Sequence, residues 1–156
     1  IKSRVVTCLP KDSLKIDQDC HVINSVYSES LKKWIWIDPT FDAYVMNEKG
    51  ALLSIEEVRE HLISDKTLIL NPDANWNNQN PQTKEYYLYN YMAKNLYMLE
   101  CPATSEYDME TPREGKTISY IKLLPLDYDN QKPDKEESEG KITIFKTNNP
   151  KVFWEH

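Results

Sequence analysis

The chain has 156 residues, of which 40% are hydrophobic and 28% are charged, as is usual for one globular domain. Its formal net charge of −6 argues against a dedicated nucleic-acid-binding protein, because contacts to phosphates need clustered lysine and arginine. Only three glycines are present, which excludes the glycine-rich loops that bind nucleotides. No apolar run reaches the length of about 18 residues that a membrane span needs. We therefore expect no nucleotide cofactor, no nucleic-acid partner and no transmembrane helix.

The N-terminus has no initiator methionine and no signal peptide, and Ile1 leads directly into a β-rich run. This beginning has two interpretations: a processed or tag-cleaved terminus, or a fragment whose upstream part lies elsewhere. We favour the fragment for a reason given below. The compartment stays open, because targeting signals cannot be judged from such a terminus.

The three cysteines, Cys8, Cys20 and Cys101, are odd in number and widely spaced. This pattern indicates free, buried thiols rather than a disulfide framework. Cys20 and His21 are adjacent, but neighbours on a strand point to opposite faces and do not share one metal ion. We therefore predict no metal site.

Several segments have the alternating or β-branched pattern of strands. The second and third of them are joined by a short polar connection, which predicts an antiparallel hairpin. Pro10 ends the first strand and Pro39 ends the third, because proline lacks an N–H group. The predicted strands span residues 3–9, 19–27, 34–38, 117–126 and 141–147.

Two helices are predicted between the third and fourth strands. Ser54 and Glu57 form a capping box, after which apolar residues continue at helical spacing to about residue 64. Residues 83–100 have the spacing of a longer helix, with Pro102 beyond its end. We expect most tyrosines of this helix to pack on the sheet with hydroxyls near solvent; they are Tyr86, Tyr87, Tyr89, Tyr91 and Tyr97.

The intervening composition predicts two loops. Residues 71–82 are rich in asparagine and proline, and residues 127–140 are charged and contain proline. The expected fold class is α+β, an antiparallel sheet with flanking helices, in which the two late strands extend the sheet or form a small C-terminal layer. Residues 1–126 form the core with a helical extension, and residues 127–156 add a mobile charged loop and a terminal strand to the same domain.

His21 and Asp38 have a spacing that can place an imidazole beside a carboxylate. If Tyr27 and Trp34 are the last paired residues, Asp38 faces Ile23, and His21 lies diagonally at a Cα separation of about 7–8 Å. If the connection tightens by two residues, His21 and Asp38 pair directly at about 4.5–5.5 Å. Either connection keeps both side chains on one face, whereas an odd length separates them. Asp38 would then orient the ring, and the free ring nitrogen would accept a proton from a nucleophile.

The local sequence resembles the transglutaminase-like superfamily over about residues 3–42, roughly a quarter of the chain. The matching segments are Arg4-Val5-Val6, Asp19-Cys20-His21-Val22 and Trp34-Ile35-Trp36-Ile37-Asp38-Pro39-Thr40. The resemblance implies a papain-like fold with a Cys–His–Asp site. It implies that His21 is the catalytic histidine, Asp38 the orienting aspartate and Arg4 the arginine of the preceding strand. An aromatic residue commonly follows the family's histidine, and Ile23 stands there instead.

The family's nucleophilic cysteine begins a helix upstream of the arginine-containing strand, and this sequence begins after that point. The missing nucleophile helix is the reason to favour a fragment. None of the cysteines present is expected to replace it. Cys8 ends a strand without a helix start, Cys20 should point away from His21, and Cys101 follows a predicted helix C-terminus, where a thiolate is disfavoured.

Three functions stay open. In the first, the chain is part of a transglutaminase-like cysteine enzyme that transfers or hydrolyses acyl groups of peptide or protein substrates through a thioester. The chain alone should then be inactive, since the nucleophile would come from its partner, the missing upstream segment. Alternatively, it is a catalytically inactive module of the same fold that binds protein, peptide or glycan. In the third interpretation the match is accidental, which predicts that His21 and Asp38 do not meet.

Overall fold

A computed structural model of the chain describes residues 2–11, 19–104, 111, 113–126 and 134–155. The strands in chain order are β1 (Ser3–Leu9), β2 (His21–Ser28), β3 (Lys33–Ile37), β4 (Val45–Met46), β5 (Ile69–Leu70), β6 (Asn75–Trp76), β7 (Asn80–Pro81), β8 (Met98–Pro102), β9 (Ile118–Leu123), β10 (Lys135–Glu139) and β11 (Ile142–Thr147). The helices are α1 (Ile55–Ile63), a π-helix (Glu85–Met92) that continues into α2 (Ala93–Asn95), and α3 (Pro150–Glu155).

A seven-stranded sheet organises the described residues, in the order β10-β11-β9-β8-β1-β2-β3. The pair β9–β11 is parallel, and the other neighbouring pairs are antiparallel. The fold is therefore α+β with a mainly antiparallel sheet, as the sequence predicts at this level. The two late strands of the sequence analysis, now β9 and β11, extend this sheet.

The helices cover one face of the sheet. Side chains alternate along each strand, so Val6, Cys8 and Ile23 lie on the covered face, whereas Val5 and Val22 on the other face are 47% and 44% exposed. Apolar residues from α1, the π-helix and α3 join the covered face in one core: Ile55, Val58, Tyr87, Leu88, Met92 and Phe153. Burial of this face is the main favourable term holding the layers together.

The hairpin and the first helix form as the local signals predict. Strands β2 and β3 pair antiparallel. At α1, the Ser54 hydroxyl accepts a hydrogen bond from the Glu57 backbone N–H at 3.1 Å, and the Glu57 carboxylate accepts one from the Ser54 N–H at 2.7 Å. This reciprocal cap satisfies two N–H groups that a helix start would otherwise leave unpaired.

The predicted helix over 83–100 is wrong at its C-terminal end, where β8 begins at Met98. Residues 98–102 form β8, an interior strand whose Cys101 and Leu99 pair with β9 while Leu99 also faces Cys8 of β1. The apolar spacing of this segment fits a helix locally. The segment is a strand because its backbone forms hydrogen bonds with the strands on both sides, β1 and β9. The earlier part of the segment is helical: Glu85–Met92 has the wider π form, and Ala93–Asn95 continues it as α2.

Two predicted loops also need correction. In the segment 127–140, residues 135–139 form the edge strand β10, which pairs with β11; residues 127–133 lie outside the described residues. Residues 135–139 are a strand in spite of their charged composition, because they pair with β11 through backbone hydrogen bonds. Within 71–82, the short strands β6 and β7 form a two-stranded hairpin.

No helix among the described residues is long and apolar enough to cross a membrane. This agrees with the absence of a long apolar run in the sequence.

Candidate functional site

The candidate site lies where β1 and β3 end and β2 begins, on the covered face of the sheet. The hairpin register pairs Tyr27 with Trp34 and continues for one further pair, so Asp38 follows β3 at the position opposite Ile23. This is the first of the two registers considered from the sequence, in which His21 lies diagonal to Asp38 on the same face.

His21 and Asp38 meet through a direct contact. The distance between His21 Nε2 and Asp38 Oδ2 is 2.6 Å, and the two side chains are 7% and 0% exposed. The accidental-match interpretation predicts that these residues do not meet, and this contact contradicts that prediction. Among the described residues no hydrogen bond reaches the other ring nitrogen, Nδ1, so it is the one open to a further proton donor.

The Asp38 carboxylate is held from several directions. Its Oδ1 atom accepts hydrogen bonds from the backbone N–H groups of Thr40 at 3.0 Å and Phe41 at 3.3 Å. These two bonds come from the turn that Pro39 begins, so the Asp-Pro-Thr sequence folds back on its own carboxylate. A buried carboxylate is tolerated because its oxygens are satisfied in this way.

Tyr87 is a member of this site that the sequence analysis missed. Its hydroxyl donates a hydrogen bond of 2.5 Å to Asp38 Oδ2, the oxygen that also contacts His21. Trp36 Nε1–H donates to the same hydroxyl at 3.3 Å. The sequence places five tyrosines near one another without distinguishing them, and the expectation that their hydroxyls lie near solvent is wrong for Tyr87, which is 0% exposed.

Aromatic rings cover His21. The ring centroids of Phe41 and Tyr91 lie 5.2 and 5.4 Å from that of His21, both in edge-on geometry. Tyr86 stacks on Tyr91 at 6.4 Å and is half exposed. A nucleophile that reaches His21 therefore has to use the small uncovered part of the ring or displace Tyr91.

Cys8 lies directly opposite His21 in the β1–β2 register, so both side chains share one face. It is 0% exposed, and burial, followed by the negative charge of Asp38, raises the pKa of its thiol. A protonated and inaccessible thiol is a poor nucleophile, in spite of its position. Burial likewise raises the pKa of Cys101 to about 11, whereas Cys20, one residue before β2, is exposed.

Arg4 lies on the covered face at the opposite end of β1. Its guanidinium packs over the Trp34 ring at 5.0 Å, and its Nη1 donates to the backbone oxygen of Trp154 at 2.9 Å. These groups border a cavity of about 280 Å³ whose other walls include Tyr27 and the first turn of α1. The residues that the resemblance singles out are thus separated: His21 and Asp38 meet, whereas Arg4 borders this cavity at the other end of β1.

Within the described part of the chain, no group of three or more His, Cys, Asp and Glu side chains is arranged to hold a metal ion. What the site offers is an oriented imidazole with a buried carboxylate behind it. Chemically, this pair can accept a proton at Nδ1 and stabilise the resulting imidazolium.

Comparisons of this chain with protein-family models, with curated proteins and with solved structures find no match.

Proposed function

We propose that this chain supplies the histidine and the aspartate of a Cys–His–Asp acyl-transfer site. The observation that carries the proposal is the 2.6 Å contact between His21 Nε2 and the fully buried Asp38 carboxylate. The resemblance of residues 3–42 to transglutaminase-like enzymes supports the same assignment. In this proposal the nucleophilic cysteine comes from a segment outside the present sequence, because the Cys8 thiol is buried and protonated.

The reaction follows from these groups. The incoming thiol gives its proton to His21 Nδ1, and the thiolate attacks the carbonyl carbon of a peptide or glutamine amide. The tetrahedral intermediate collapses to a thioester as His21 returns the proton to the departing amine. Water or a second amine then releases the acyl group, and His21 again serves as base and then acid. Asp38 holds the ring and stabilises the imidazolium without itself taking the proton.

The test uses the full-length gene product and measures hydroxamate formation from a glutamine peptide and hydroxylamine. His21→Ala and Asp38→Asn should lower kcat by about 10²–10⁴-fold, the usual contribution of a general base and its support. The matched control is His61→Ala, since His61 is a partly buried histidine of α1 that lies outside the site. Wild-type rates in His21→Ala would contradict the proposal.

A second candidate is a catalytically inactive module that binds peptide or glycan. The observation that favours it is the low exposure of His21, 7%, beneath Tyr91 and Phe41. The binding surface would be the cavity walled by Tyr27, Trp34 and Trp154. In this case tryptophan emission changes on titration with peptides or glycans, Trp34→Ala abolishes the change, and His21→Ala leaves it intact. A change that depends on His21 and not on Trp34 would exclude this candidate.

A further inference from the structure

The buried phenol of Tyr87 has no part in the reaction above, although it contacts the site directly. The carboxylate of Asp38 has about four lone-pair positions. Thr40 and Phe41 N–H groups occupy those of Oδ1. Oδ2 is shared by His21 and Tyr87. Removing Tyr87's hydroxyl would therefore leave Oδ2 with His21 alone.

The hydroxyl of Tyr87 is fixed as a donor. Burial, and then the negative charge of Asp38, raises the pKa of the Tyr87 phenol, so the group keeps its proton across the neutral range. Trp36 Nε1–H donates to the phenol oxygen, which leaves the phenol proton to point at Asp38. The direction of the chain is therefore set: Trp36 donates to Tyr87, and Tyr87 donates to Asp38.

An unusual helix brings Tyr87 to this position. The segment Glu85–Met92 is wound as a π-helix, and the Ala93 N–H that follows it bonds to Leu88 O, five residues back. Such windings are rare and are found frequently at functional sites. Here the winding places Tyr87 on Asp38 and Tyr91 on the ring of His21, so both halves of the dyad contact one segment.

We propose that Tyr87 is a positioning residue of the His21–Asp38 dyad: its hydroxyl holds Oδ2 so that the carboxylate cannot turn away from the imidazole. This inference rests on the proposed function for its catalytic consequence, since a fixed carboxylate matters most when the imidazole accepts and returns protons. The competing explanation is packing alone, because the Tyr87 ring also lies against Phe41 at 5.0 Å.

The variant Tyr87→Phe separates the two explanations, because it keeps the ring and removes only the hydroxyl. The readout is the solvent exchange rate of the His21 Nε2–H proton, measured by NMR in the ¹⁵N-labelled chain. We expect exchange to become about five- to ten-fold faster, as for the loss of one net hydrogen bond. Tyr89→Phe, on the same helix but 42% exposed, is the matched control and should leave the rate unchanged. An unchanged rate in Tyr87→Phe overturns the proposal.

A second variant guards against misfolding. Tyr87→Phe leaves the buried Trp36 N–H without its acceptor, whereas Trp36→Phe/Tyr87→Phe removes both polar groups together. The double variant should show the same faster exchange, and the wild-type rate in it would equally overturn the proposal.

In the full-length gene product, Tyr87→Phe should lower kcat by about five- to ten-fold with KM unchanged, since Tyr87 is fully buried and its hydroxyl contacts Asp38. A change in KM alone would overturn the positioning role. If the wild type transfers no acyl group, the proposed function fails, and the exchange measurement still decides the role of Tyr87.

Discussion

At the scale of single residues, burial decides which of the chemically capable groups is usable. Cys8 and His21 are direct cross-strand neighbours, and Asp38 completes a Cys–His–Asp set on one face. The arrangement nevertheless does not make Cys8 a nucleophile, since burial stabilises its protonated form. The group that can act as a base is the His21 imidazole, because the Asp38 carboxylate beside it is held in place. That carboxylate accepts four hydrogen bonds, from His21, Tyr87, Thr40 and Phe41.

Because the Cys8 thiol is buried, we expect the protein to lose stability at alkaline pH. The pKa of Cys8 is raised in the folded state, so its contribution to stability is complete below the pKa of the unfolded thiol, about 8.5, and declines as the pH rises above it. Each further pH unit should cost about 1.4 kcal/mol while the unfolded chain alone loses the proton.

Urea unfolding at pH 8, 9 and 10 measures this slope. Cys8→Ala should flatten it by about 1 kcal/mol per pH unit between pH 9 and 10. The exposed cysteine, Cys20, provides the control: Cys20→Ala should retain the slope of the wild type. Equal slopes in the two variants would show that Cys8 does not retain its proton in the folded state.

At the scale of elements, the structure separates helices specified by local signals from segments specified by their neighbours. Helix α1 begins at the residue that its capping box predicts, and the cap closes with both expected hydrogen bonds. Residues 98–100 end a helical pattern of apolar residues, yet β1 and β9 bind them as part of strand β8. An interior strand forms hydrogen bonds along both edges, and the sequence within the segment does not predict them because the partners are far away in the chain.

The cap of α1 should carry a measurable share of stability. Ser54→Ala removes the acceptor of the Glu57 N–H and should lower the free energy of unfolding by about 1 kcal/mol. The control is Ser30→Ala, since Ser30 is exposed in a turn and its hydroxyl contacts the Ser28 hydroxyl, away from α1. Chemical denaturation of the three proteins provides the measurement, and equal losses in both variants would contradict a specific capping role.

At the scale of the whole molecule, the two ends of the described chain are joined through one side chain. Arg4 on β1 donates to the backbone oxygen of Trp154 on α3, 150 positions away, while its guanidinium lies over Trp34. Strand β1 is an interior strand of the sheet, with β8 and β2 as neighbours. The contact therefore ties the C-terminal helix to the middle of the fold, at the edge of the cavity beside α1.

Arg4→Lys should loosen this connection although it preserves the charge. A lysine ammonium is a point charge without the planar fork, so it does not stack on Trp34 and reach the Trp154 oxygen together. We expect a loss of about 1–2 kcal/mol in unfolding free energy and faster hydrogen exchange in residues 150–155. Lys151→Ala, an exposed change on α3 itself, is the control for local effects. Unchanged exchange in Arg4→Lys would mean that apolar packing of Phe153 alone holds the helix.

The sequence by itself determines the features whose causes lie within a few residues. Alternation and proline predict strands β1 to β3, and the capping box predicts the start of α1. For His21 and Asp38 the sequence determines a condition: an even connection in the hairpin places them on one face, because side chains alternate with a period of two. The observed register meets that condition.

Tertiary structure decides what depends on residues far apart in the chain. Tyr87 reaches Asp38 across 49 positions, and Thr7 pairs with Glu100 in the centre of the sheet. No sequence feature near Tyr87 distinguishes it from the neighbouring tyrosines. Likewise, no feature within residues 98–102 indicates that β1 and β9 will pair with this segment. Long-range partners alone settle such positions, because the hydrogen bonds and apolar burial that stabilise them exist only once the sheet and its helices are assembled.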